Sequence, residues 1–538
     1  MSHRPPAARR AALNRLVRRV PCVILALSLP AGALAAQRVD VLLRGGTVID
    51  GTGAPRRTAD VAITDGRITR ITRPGQLHSR RARMVLDVRG LVVAPGFIDL
   101  HAHVNTIAQY PQPENFLRQG ITTTLASLHS QPMPWPLDRY VASLHSALNV
   151  GFFAGHNWIR ERVLGMANRA PTAAELSHMT ALVDSAMRQG AMGLATGLEY
   201  VPGAYGQTDE LIAMARVAAA HGGLYITHLR DEGPALEPSV REVLAIAAAA
   251  HIPAQINHLK STGAAQFGRI PAVLALLDSA RRAGLDVGAD AYPYTAFSTV
   301  SDVLFPPWSL AGGVDEFRRR AADSAGRAQL LRDMRTVFVQ QAGAGPESIV
   351  FRDLPGFAGK SLAELAISRG MPPTIDGVLP LLIELQAGGG FLAVFHAMAD
   401  ADVDSLMRSP AVAIESDGDL MAFGAGFPHP RSYGAFPRVL GTYVRDRGLL
   451  SLELAIHKMT GLAAQRAGLD DRGVLRPGAA ADIVVFDAAT IADRATYTAP
   501  HQYAVGVRHL FVNGVAVLRD AKMTGATPGR RVRRSRQR

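Results

Sequence analysis

Short apolar runs that alternate with polar residues occupy the two ends of the chain. Near the amino end they lie between residues 38 and 93, and an Asp-Gly pair at 65–66 separates two of them. Near the carboxyl end, an apolar run at 481–486 precedes a second alternating segment with an Asn-Gly pair at 513–514. Such pairs between alternating segments predict β-hairpins. Each end alone has too few strands for a stable core, so we predict one small β-sandwich domain built from both ends, residues 36–93 and 470–529.

The long middle of the chain, residues 94–469, has a different pattern. Apolar runs end in polar clusters and are followed by amphipathic segments, the clearest of which are 208–221, 237–250 and 270–283. Strand–helix alternation on this scale predicts parallel β/α units, and we expect an α/β fold with a barrel of the TIM (β/α)8 type. Residues 301–390 interrupt the rhythm with prolines, arginines and a glycine run. We interpret that region as an insertion that covers the site.

One stretch, residues 92–104, connects the two patterns. It begins as an apolar run typical of a strand buried on both faces, and it ends with His101 and His103. Side chains alternate along a strand, so both imidazoles are predicted to point the same way. A parallel barrel carries its chemistry at the carboxyl ends of its strands. An isolated pair would be interpreted as polar residues leaving a strand, but here other ligand types follow.

Polar side chains end later apolar runs, at intervals that suggest successive strands. They are His129, Glu199, His228, His258, Glu415 and Asp417. Imidazole nitrogen and carboxylate oxygen suit zinc and related divalent ions. Any one of these residues alone would be interpreted as a satisfied polar group at a strand end. As an ordered set behind the histidine pair, they predict a metal site.

The 538-residue chain has a formal charge of +13, and the position of that charge decides what it means. Six arginines lie among the first 19 residues and six among the last nine, so the body of the chain is nearly neutral. The sequence has no basic stripe interleaved with aromatic residues, and we therefore predict no nucleic-acid partner. The basic residues 530–538 are interpreted as a solvated tail.

The first residues have the pattern of an export signal. Arginines precede an apolar run at 20–29, which is short for a membrane span, and small residues at 33 and 35 offer a cleavage site. We predict a signal peptide of residues 1–35, export to the periplasm or beyond, and no stable membrane span after cleavage. The single cysteine, Cys22, lies inside this segment, so the mature chain has no cysteine ligand.

Motifs along almost the whole mature chain resemble those of the amidohydrolase superfamily and, within it, the N-acyl-D-amino-acid deacylases (D-aminoacylases). The segment A-P-G-F-I-D-L-H-A-H at 94–103 is similar to the superfamily in general. The segment H-P-R-S-Y-G-A-F-P-R at 429–438, with its spacing after S-D-G at 416–418, resembles the deacylase branch. Further matching motifs are Q-G-I-T-T at 119–123, G-L-A-T-G-L-E-Y-V-P-G at 193–203, I-T-H-L-R-D-E-G at 226–233, I-N-H-L-K at 256–260, D-A-Y-P-Y-T at 290–295 and G-V-L-R-P-G-A-A-A-D-I-V-V-F-D at 473–487.

The resemblance implies a metal-dependent hydrolase on a distorted TIM barrel, with a β-sandwich formed by both termini. It also implies the ligands of one or two divalent ions, taken as Zn2+, which are His101, His103, His228, His258 and Asp417. Asp417 matches the catalytic general base of the family as well. Four further residues fall where the family would hold the substrate's free carboxylate, namely Lys260, Tyr292, Ser298 and Arg431. A point charge, a guanidinium fork and two hydroxyl donors suit that task.

One position departs from the family pattern. The deacylases use a cysteine after the G-x-T-T segment as a metal ligand, and other superfamily members bridge two metals with a carboxylated lysine. Here the cysteine position falls on His129, and no lysine precedes Lys260. Glu199 or His129 could substitute. A carboxylate can bridge two cations whereas a neutral imidazole normally binds one, so we choose Glu199 for a two-metal site; the alternative is one zinc ion bound by neither.

The expected reaction is hydrolysis of an N-acyl-D-amino acid to a carboxylate and a free D-amino acid, with this small molecule as the partner. A metal ion lowers the pKa of bound water from 15.7 to about 7, and Asp417 would accept the water proton and deliver it to the leaving amine. Close alternatives are a dipeptidase for D-residues and a hydrolase of cyclic amides, of the hydantoinase or dihydroorotase kind. A more distant alternative is a non-catalytic metal-binding protein on the same scaffold.

Overall fold

The computed structural model describes residues 39–535, so the predicted signal peptide lies outside the described residues. The described chain begins with β1 (Val39–Val48), β2 (Arg57–Thr64), β3 (Arg67–Thr72), β4 (Ala82–Asp87) and β5 (Val92–Pro95). β2 and β3 pair antiparallel, and the turn between them holds Asp65 and Gly66 at φ of 50° and 74°. Both residue types tolerate this left-handed backbone, so the hairpin predicted from the Asp-Gly pair is confirmed.

Parallel strands of the barrel follow directly. They are β6 (Phe97–Ala102), β7 (Ile121–Ala126), β8 (Asn149–Phe152), β9 (Ala154–Gly155), β10 (Gly193–Gly197), β11 (Leu224–His228), β12 (Ala254–Ile256) and β13 (Val287–Ala291). β8 and β9 continue each other across Phe153, which donates its amide hydrogen to Ala126 O of β7. On the other side, Met192 N donates to Phe152 O at 2.7 Å, so the strand formed by β8 and β9 connects β7 to β10.

An insertion follows β13. It contains a three-stranded antiparallel sheet of β14 (Phe297–Val300), β15 (Ile349–Phe351) and β16 (Leu392–Phe395), with helices between the strands. The sheet begins before residue 301 and ends after residue 390, so the insertion is wider than its irregular composition indicated. All four residues of β14 and Leu392 of β16 line a cavity near the barrel mouth.

The ring of parallel strands closes at β17 (Val412–Ile414), which pairs with β13. Beyond β17, Asp417 N donates to His101 O at 3.0 Å, and His103 N donates to Gly418 O at 2.8 Å. These bonds connect the end of the last barrel strand to the end of the first. The expected barrel is confirmed, and its closing contact lies between two segments that carry candidate ligands.

Four strands complete the terminal domain: β18 (Ile483–Phe486), β19 (Val507–Val512), β20 (Val515–Arg519) and β21 (Lys522–Met523). β18 pairs antiparallel with β5, so strands from both ends of the chain form one nine-stranded sheet. The sheet encloses its own apolar core, which includes Val61, Ile63 and Phe511. Turns from the two ends meet, because Ala481 N donates to Gly66 O and Gly514 N donates to Ala481 O, each at 2.9 Å. The predicted sandwich from both termini is confirmed.

Helices pack outside the barrel and in the insertion. They are α1 (Glu114–Leu117), α2 (Leu137–Ser143), α3 (His156–Leu164), α4 (Ala173–Arg188), α5 (Thr208–Ala220), α6 (Leu236–Ala250), α7 (Ile270–Arg282), α8 (Pro307–Leu310), α9 (Val314–Ala322), α10 (Ser324–Gln341), α11 (Leu362–Ser368), α12 (Ile375–Ala387), α13 (Asp400–Arg408), α14 (Arg431–Arg438), α15 (Leu452–Met459) and α16 (Gly461–Ala467). The three helices predicted from amphipathic spacing are α5, α6 and α7, each within one residue of the expected ends. None of the helices described between residues 39 and 535 has the length and hydropathy to cross a membrane.

The basic end of the chain is not a solvated tail over the part that the structure describes. Val150 N donates to Arg530 O, and Val532 N donates to Val150 O, both at 3.0 Å, so the segment pairs with β8. Val532 is 5% exposed and packs with Leu125 and Met192. The prediction was wrong for residues 530–535 because it rested on the number of arginines. It did not consider the one apolar residue or the backbone groups that pair with β8.

Candidate metal centre and active site

The ends of the barrel strands bring the predicted ligands together. His101 and His103 leave β6, His228 ends β11, and His258 and Asp417 follow β12 and β17. The two histidines of the H-x-H pair point the same way, because each Nε2 lies 3.3 Å from Asp417 Oδ1. His258 Nε2 lies 2.9 Å from His228 Nδ1. Residues separated by more than three hundred positions in the sequence therefore share one cluster.

Three of the histidines have a carboxylate on the ring nitrogen that faces away from the cluster. His103 Nδ1 lies 3.0 Å from Asp419 Oδ1, and His228 Nε2 lies 2.7 Å from Glu199 Oε2. His258 Nδ1 lies 3.2 Å from Glu232 Oε1. A carboxylate in this position fixes the tautomer and orientation of a metal-ligating histidine and makes its other nitrogen more basic. The pattern is expected of imidazoles that present a lone pair to a cation.

Two candidate ligands have a backbone conformation that non-glycine residues rarely adopt. His258 and Asp417 have φ of 37° and 46°. A backbone hydrogen bond to a buried acceptor fixes each residue. His258 N donates to Asp290 Oδ1 at 2.6 Å, and Asp417 N donates to His101 O at 3.0 Å. Such backbone strain costs of order 1–3 kcal/mol per residue and persists where surrounding contacts impose it, commonly at functional sites.

Electrostatics keep most of the cluster histidines neutral. Burial lowers the pKa of His101, His129 and His258, and it lowers that of His228 to about 4. Burial opposes ionisation of Asp417 as well, but the Arg431 guanidinium at 2.9 Å and the nearby histidines hold the pKa of Asp417 well below its ordinary value. The site therefore offers neutral imidazoles and an ionised carboxylate, the protonation states that bind a divalent cation.

The donor atoms fit a metal ion by a second criterion. Both ring nitrogens of His101 and both of His129 are buried and make no hydrogen bond to any residue between 39 and 535. Buried polar atoms are nearly always paired. Of these four nitrogens His101 Nε2 faces Asp417 Oδ1 at 3.3 Å, and the others are left for an external partner. Nitrogen and oxygen donors at strand ends beside a cavity are the ligand types of a divalent-metal site.

His129 occupies the centre of the cluster. It belongs to two groups whose ligand atoms lie within 4.8 Å of one another, one with His101 and His103 and one with His228 and His258. Its ring stacks between those of His101 and Tyr200, at centroid distances of 5.2 and 5.9 Å. A Cβ at Gly197 would lie 2.7 Å from His129 Nδ1, so the ring needs a glycine there.

Glu199, the residue predicted from the sequence to bridge two metal ions, lies on the outer side of His228. Its Oε2 contacts His228 Nε2, and its Oε1 accepts a hydrogen bond from Gln341 Nε2 at 2.8 Å. It could form a group with His228 and Glu232 but not with His101 or His103. Position in the chain could not show whether Glu199 or His129 is the additional ligand, because both residues follow strands that end at the same rim of the barrel.

The four predicted substrate-binding residues lie beside the cluster. Lys260 Nζ is 2.7 Å from Glu232 Oε2 and 2.8 Å from His258 Nδ1. The Tyr292 ring is covered by two cations, with Arg431 Cζ 4.8 Å and Lys260 Nζ 5.9 Å from its centroid. Lys260 and Ser298 line the cavity, whereas Arg431 and Tyr292, 1% and 2% exposed, lie behind its wall.

Sequence reasoning missed Arg352, a guanidinium that lines the same cavity. Arg352 Nη2 binds Asp419 Oδ2 at 2.7 Å, and its Nη1 donates to Ser298 Oγ at 2.9 Å. Because Asp419 also contacts His103, Arg352 connects the insertion to a candidate ligand. Arg352 follows β15 in the irregular insertion, where no motif or periodicity marks it.

Asp419 and Glu232 were missed as well, although each had a local signal. Asp419 lies two residues beyond Asp417, the spacing that puts two side chains on one face of an extended segment. Glu232 lies four residues beyond His228 in a polar run. The cavity that these residues border has a volume of about 400 Å³, within the range of small-molecule sites.

Comparisons with known proteins match this geometry. A family model described as "Amidohydrolase family" matches residues 351–518. A D-aminoacylase of Alcaligenes xylosoxydans xylosoxydans is 37% identical over 523 residues, which cover 92% of this chain and 98% of that protein. The chain belongs to the D-aminoacylase family of amidohydrolases.

Solved structures of D-aminoacylase-family proteins share its fold. A D-aminoacylase described as having a binuclear metal centre superposes with a TM-score of 0.78 at 36% identity, covering 92% of this chain and all of that one. An N-acyl-D-glutamate deacylase of Bordetella bronchiseptica, solved with zinc and a phosphonate inhibitor, has a TM-score of 0.77 at 33% identity, with 92% of this chain and all of that chain covered.

Proposed function

We propose that the protein is a metal-dependent amidohydrolase that cleaves the amide bond of N-acyl-D-amino acids and releases a carboxylate and a free D-amino acid. The observation that carries this proposal is the cluster of five histidines around Asp417 at the mouth of a cavity of suitable volume. The D-configuration of the substrate is supported by the relatives, whose names specify D-amino acids. Zinc is supported by the donor set and by the zinc-bound relative.

The histidines divide into two ligand groups in this proposal. His101 and His103 belong to one group, His228 and His258 belong to the other, and His129 belongs to both. Asp417 connects the two, because it forms a further group with His101 and His258. Glu199 then orients His228 rather than bridging, as Asp419 does for His103 and Glu232 for His258. This assignment revises the earlier choice of Glu199 and accommodates one or two divalent ions.

A divalent ion held by these histidines and Asp417 would supply the acidity that makes water a nucleophile near neutral pH and the positive charge that polarises an acyl carbonyl. Asp417 accepts the proton of the attacking water at Oδ1, the oxygen that faces His101 and His103, and delivers it to the leaving amine. Arg431 holds Oδ2 at 2.9 Å, so the carboxylate keeps its orientation through both transfers. Lys260 and Ser298, in the cavity wall, bind the amino acid's free carboxylate.

The first experiment is an enantiomer-paired screen with metal content measured on the same preparation. N-acetyl-D-amino acids, their L-enantiomers, D-dipeptides and hydantoins are each offered to the purified protein loaded with zinc or cobalt. We expect hydrolysis of the N-acetyl-D-amino acids. Activity confined to cyclic amides or to D-dipeptides would contradict the proposal, and absence of both metal and hydrolysis would favour a non-catalytic binding protein.

The variant Asp417→Asn tests the proton carrier. It should retain the fold and lose turnover by at least about 100-fold, because general acid–base catalysis contributes about 10²–10⁴-fold. Asp315→Asn is the matched control, since the Asp315 side chain is 84% exposed on α9. Wild-type turnover of Asp417→Asn with its metal content confirmed would discard the assignment.

We also propose that residues 1–35 direct export to the periplasm or beyond, supported by the order of arginines, apolar run and small residues in that segment. The mass of the protein recovered from a periplasmic fraction tests this proposal.

A further inference from the structure

Asp302 is a carboxylate in the wall of the active-site cavity that the proposed mechanism does not use. It follows β14, in the one-turn 3-10 helix Ser301–Leu304. It lines the cavity that also contains His129, His228 and Asp417. It borders a second, smaller cavity of about 180 Å³ as well, and thus lies where the two spaces adjoin.

A buried network sets the orientation of Asp302. Ser301 Oγ donates to Gln386 Oε1 at 2.7 Å, which occupies the oxygen of that amide. The amide nitrogen is thereby directed at Asp302, and Gln386 Nε2 donates to Asp302 Oδ1 at 2.9 Å. Ser301 and Gln386 are 1% and 9% exposed. The carboxylate is therefore positioned by the protein, not left free to rotate on the surface.

The other charged groups of the cavity wall are paired with opposite charges. Lys260 pairs with Glu232 at 2.7 Å and Arg352 with Asp419 at 2.7 Å, while Asp417 pairs with Arg431 at 2.9 Å. Within the described range 39–535, Asp302 has the Gln386 amide as its side-chain partner and forms no ion pair. Asp302 is thus a negative charge in a cavity whose other fixed charges are already compensated.

The surroundings of Asp302 suit a long side chain with a positive end. Val201, Val300 and Leu392 line the same cavity and offer an apolar path for methylene groups. Burial raises the pKa of Asp302 because it removes solvent from the ionised carboxylate, and an opposite charge would act against that effect. A cationic group brought by a ligand would supply that partner.

We propose that Asp302 selects N-acyl-D-amino acids with a cationic side chain, such as those of lysine and arginine. The inference rests on the proposed function, because it assumes that the metal cluster hydrolyses the amide of the bound molecule. The ammonium or guanidinium of the substrate pairs with Asp302, and its stem packs on the apolar wall. An acidic side chain, as in the substrate named for the Bordetella relative, would meet a like charge and be rejected.

The test compares kcat/KM for three substrates that differ only in the side chain: N-acetyl-D-lysine, N-acetyl-D-norleucine and N-acetyl-D-glutamate. Norleucine keeps the aliphatic stem and removes the charge. We expect the lysine derivative to exceed the norleucine derivative by about tenfold or more, because close charge pairs at binding interfaces contribute at least that much. This comparison uses the wild-type protein and does not depend on the folding of any variant.

Two variants locate the effect at Asp302. Asp302→Asn should bring the lysine value down to the norleucine value, and Asp302→Lys should transfer the preference to N-acetyl-D-glutamate. Asp315→Asn, an exposed carboxylate in the same insertion, should leave all three values unchanged.

The outcomes separate this inference from the proposed function. If the wild-type kcat/KM for the norleucine or glutamate derivative equals or exceeds that for the lysine derivative, the inference is overturned and the deacylase function stands. An unchanged lysine preference in a folded Asp302→Asn variant also overturns it. If no N-acyl-D-amino acid is hydrolysed while hydantoins are, the proposed function fails and takes the inference with it.

Discussion

At the scale of single residues, the cluster shows what type and spacing can predict about a metal centre. The H-x-H pair, His228, His258 and Asp417 were predictable because each follows an apolar run, and parallel strands end at one rim. The choice between Glu199 and His129 was not predictable, since it depends on which side of His228 each residue occupies. Packing in three dimensions determines on which side each residue lies. Gly197, for example, leaves room for the His129 ring inside the cluster.

His129→Phe tests whether His129 is a ligand. Phenylalanine keeps a ring between His101 and Tyr200 and removes both nitrogens. We expect zinc affinity to fall by more than about 100-fold, beyond the roughly 10–100-fold typical of residues that only orient a ligand. Equilibrium competition with a chelator measures it, and the absorption spectrum of the cobalt-loaded protein reports the change in donor set.

Glu199→Gln is the matched comparison for that experiment. If Glu199 orients His228, the variant should lose about 10–100-fold in zinc affinity and keep the cobalt spectrum. A larger loss in Glu199→Gln than in His129→Phe would return Glu199 to the shared position and reject our assignment.

At the scale of elements, periodicity predicted hairpins and helices where local sequence determines the structure. The two turns with Asp-Gly and Asn-Gly pairs and the helices α5, α6 and α7 lie where the pattern put them. The insertion was recognised only as an interruption, because its short strands pair with segments some forty or more residues away, such as β15 with β16. No local pattern encodes that pairing. The positions of Arg352 and Asp302 beside the cavity depend on it, so they could not be predicted from the sequence.

Lys458 on α15 gives an element-scale prediction about stability. Its Nζ is buried and donates to Leu406 O and Met407 O in the last turn of α13, and burial lowers its pKa to about 7. Between that value and the ordinary 10.5, the unfolded chain binds more protons than the folded one, so stability must rise with pH. The maximum slope is about 1.4 kcal/mol per pH unit.

Chemical denaturation of wild type and Lys458→Met between pH 7 and 10 measures this contribution. The free energy of unfolding of the wild type should rise relative to that of Lys458→Met as the pH increases, because the methionine cannot titrate. If the two pH profiles are parallel, the pKa of Lys458 is the same in the folded and unfolded states, which would contradict the expected shift.

At the scale of the whole molecule, the sequence predicted two domains and a barrel, but it misjudged the carboxyl end. The segment from Gly529 to Ser535 lies across the barrel beside β8, with Gly529 N donating to Ser146 O at 2.7 Å and Ser535 N donating to Gly468 O at 2.8 Å. Charge counting treats such a segment as solvent-facing, whereas its backbone bonds and one buried valine hold it to the body of the protein.

Deleting residues 529–538 should therefore lower the free energy of unfolding by roughly 5 kcal/mol. Burial of one valine contributes about 1.5 kcal/mol, and each of several backbone hydrogen bonds contributes about 1 kcal/mol. Thermal or denaturant unfolding measures the loss, with Arg533→Ala, an exposed position, as the control. If the deletion and the control unfold alike, the segment contributes nothing to stability.

The pairing of β5 with β18 has a consequence for biosynthesis. Gly96 alone separates β5 from the strand that carries the histidine pair, and β5 finds its antiparallel neighbour in residues 483–486. A ribosome releases the first partner long before the second, and loop closure over such a distance is slow. In a nascent or prematurely terminated chain, β5 is paired with β1 on one side only, and its other edge is open. Prematurely stopped translation products should therefore be substrates for proteolysis rather than competitors for zinc.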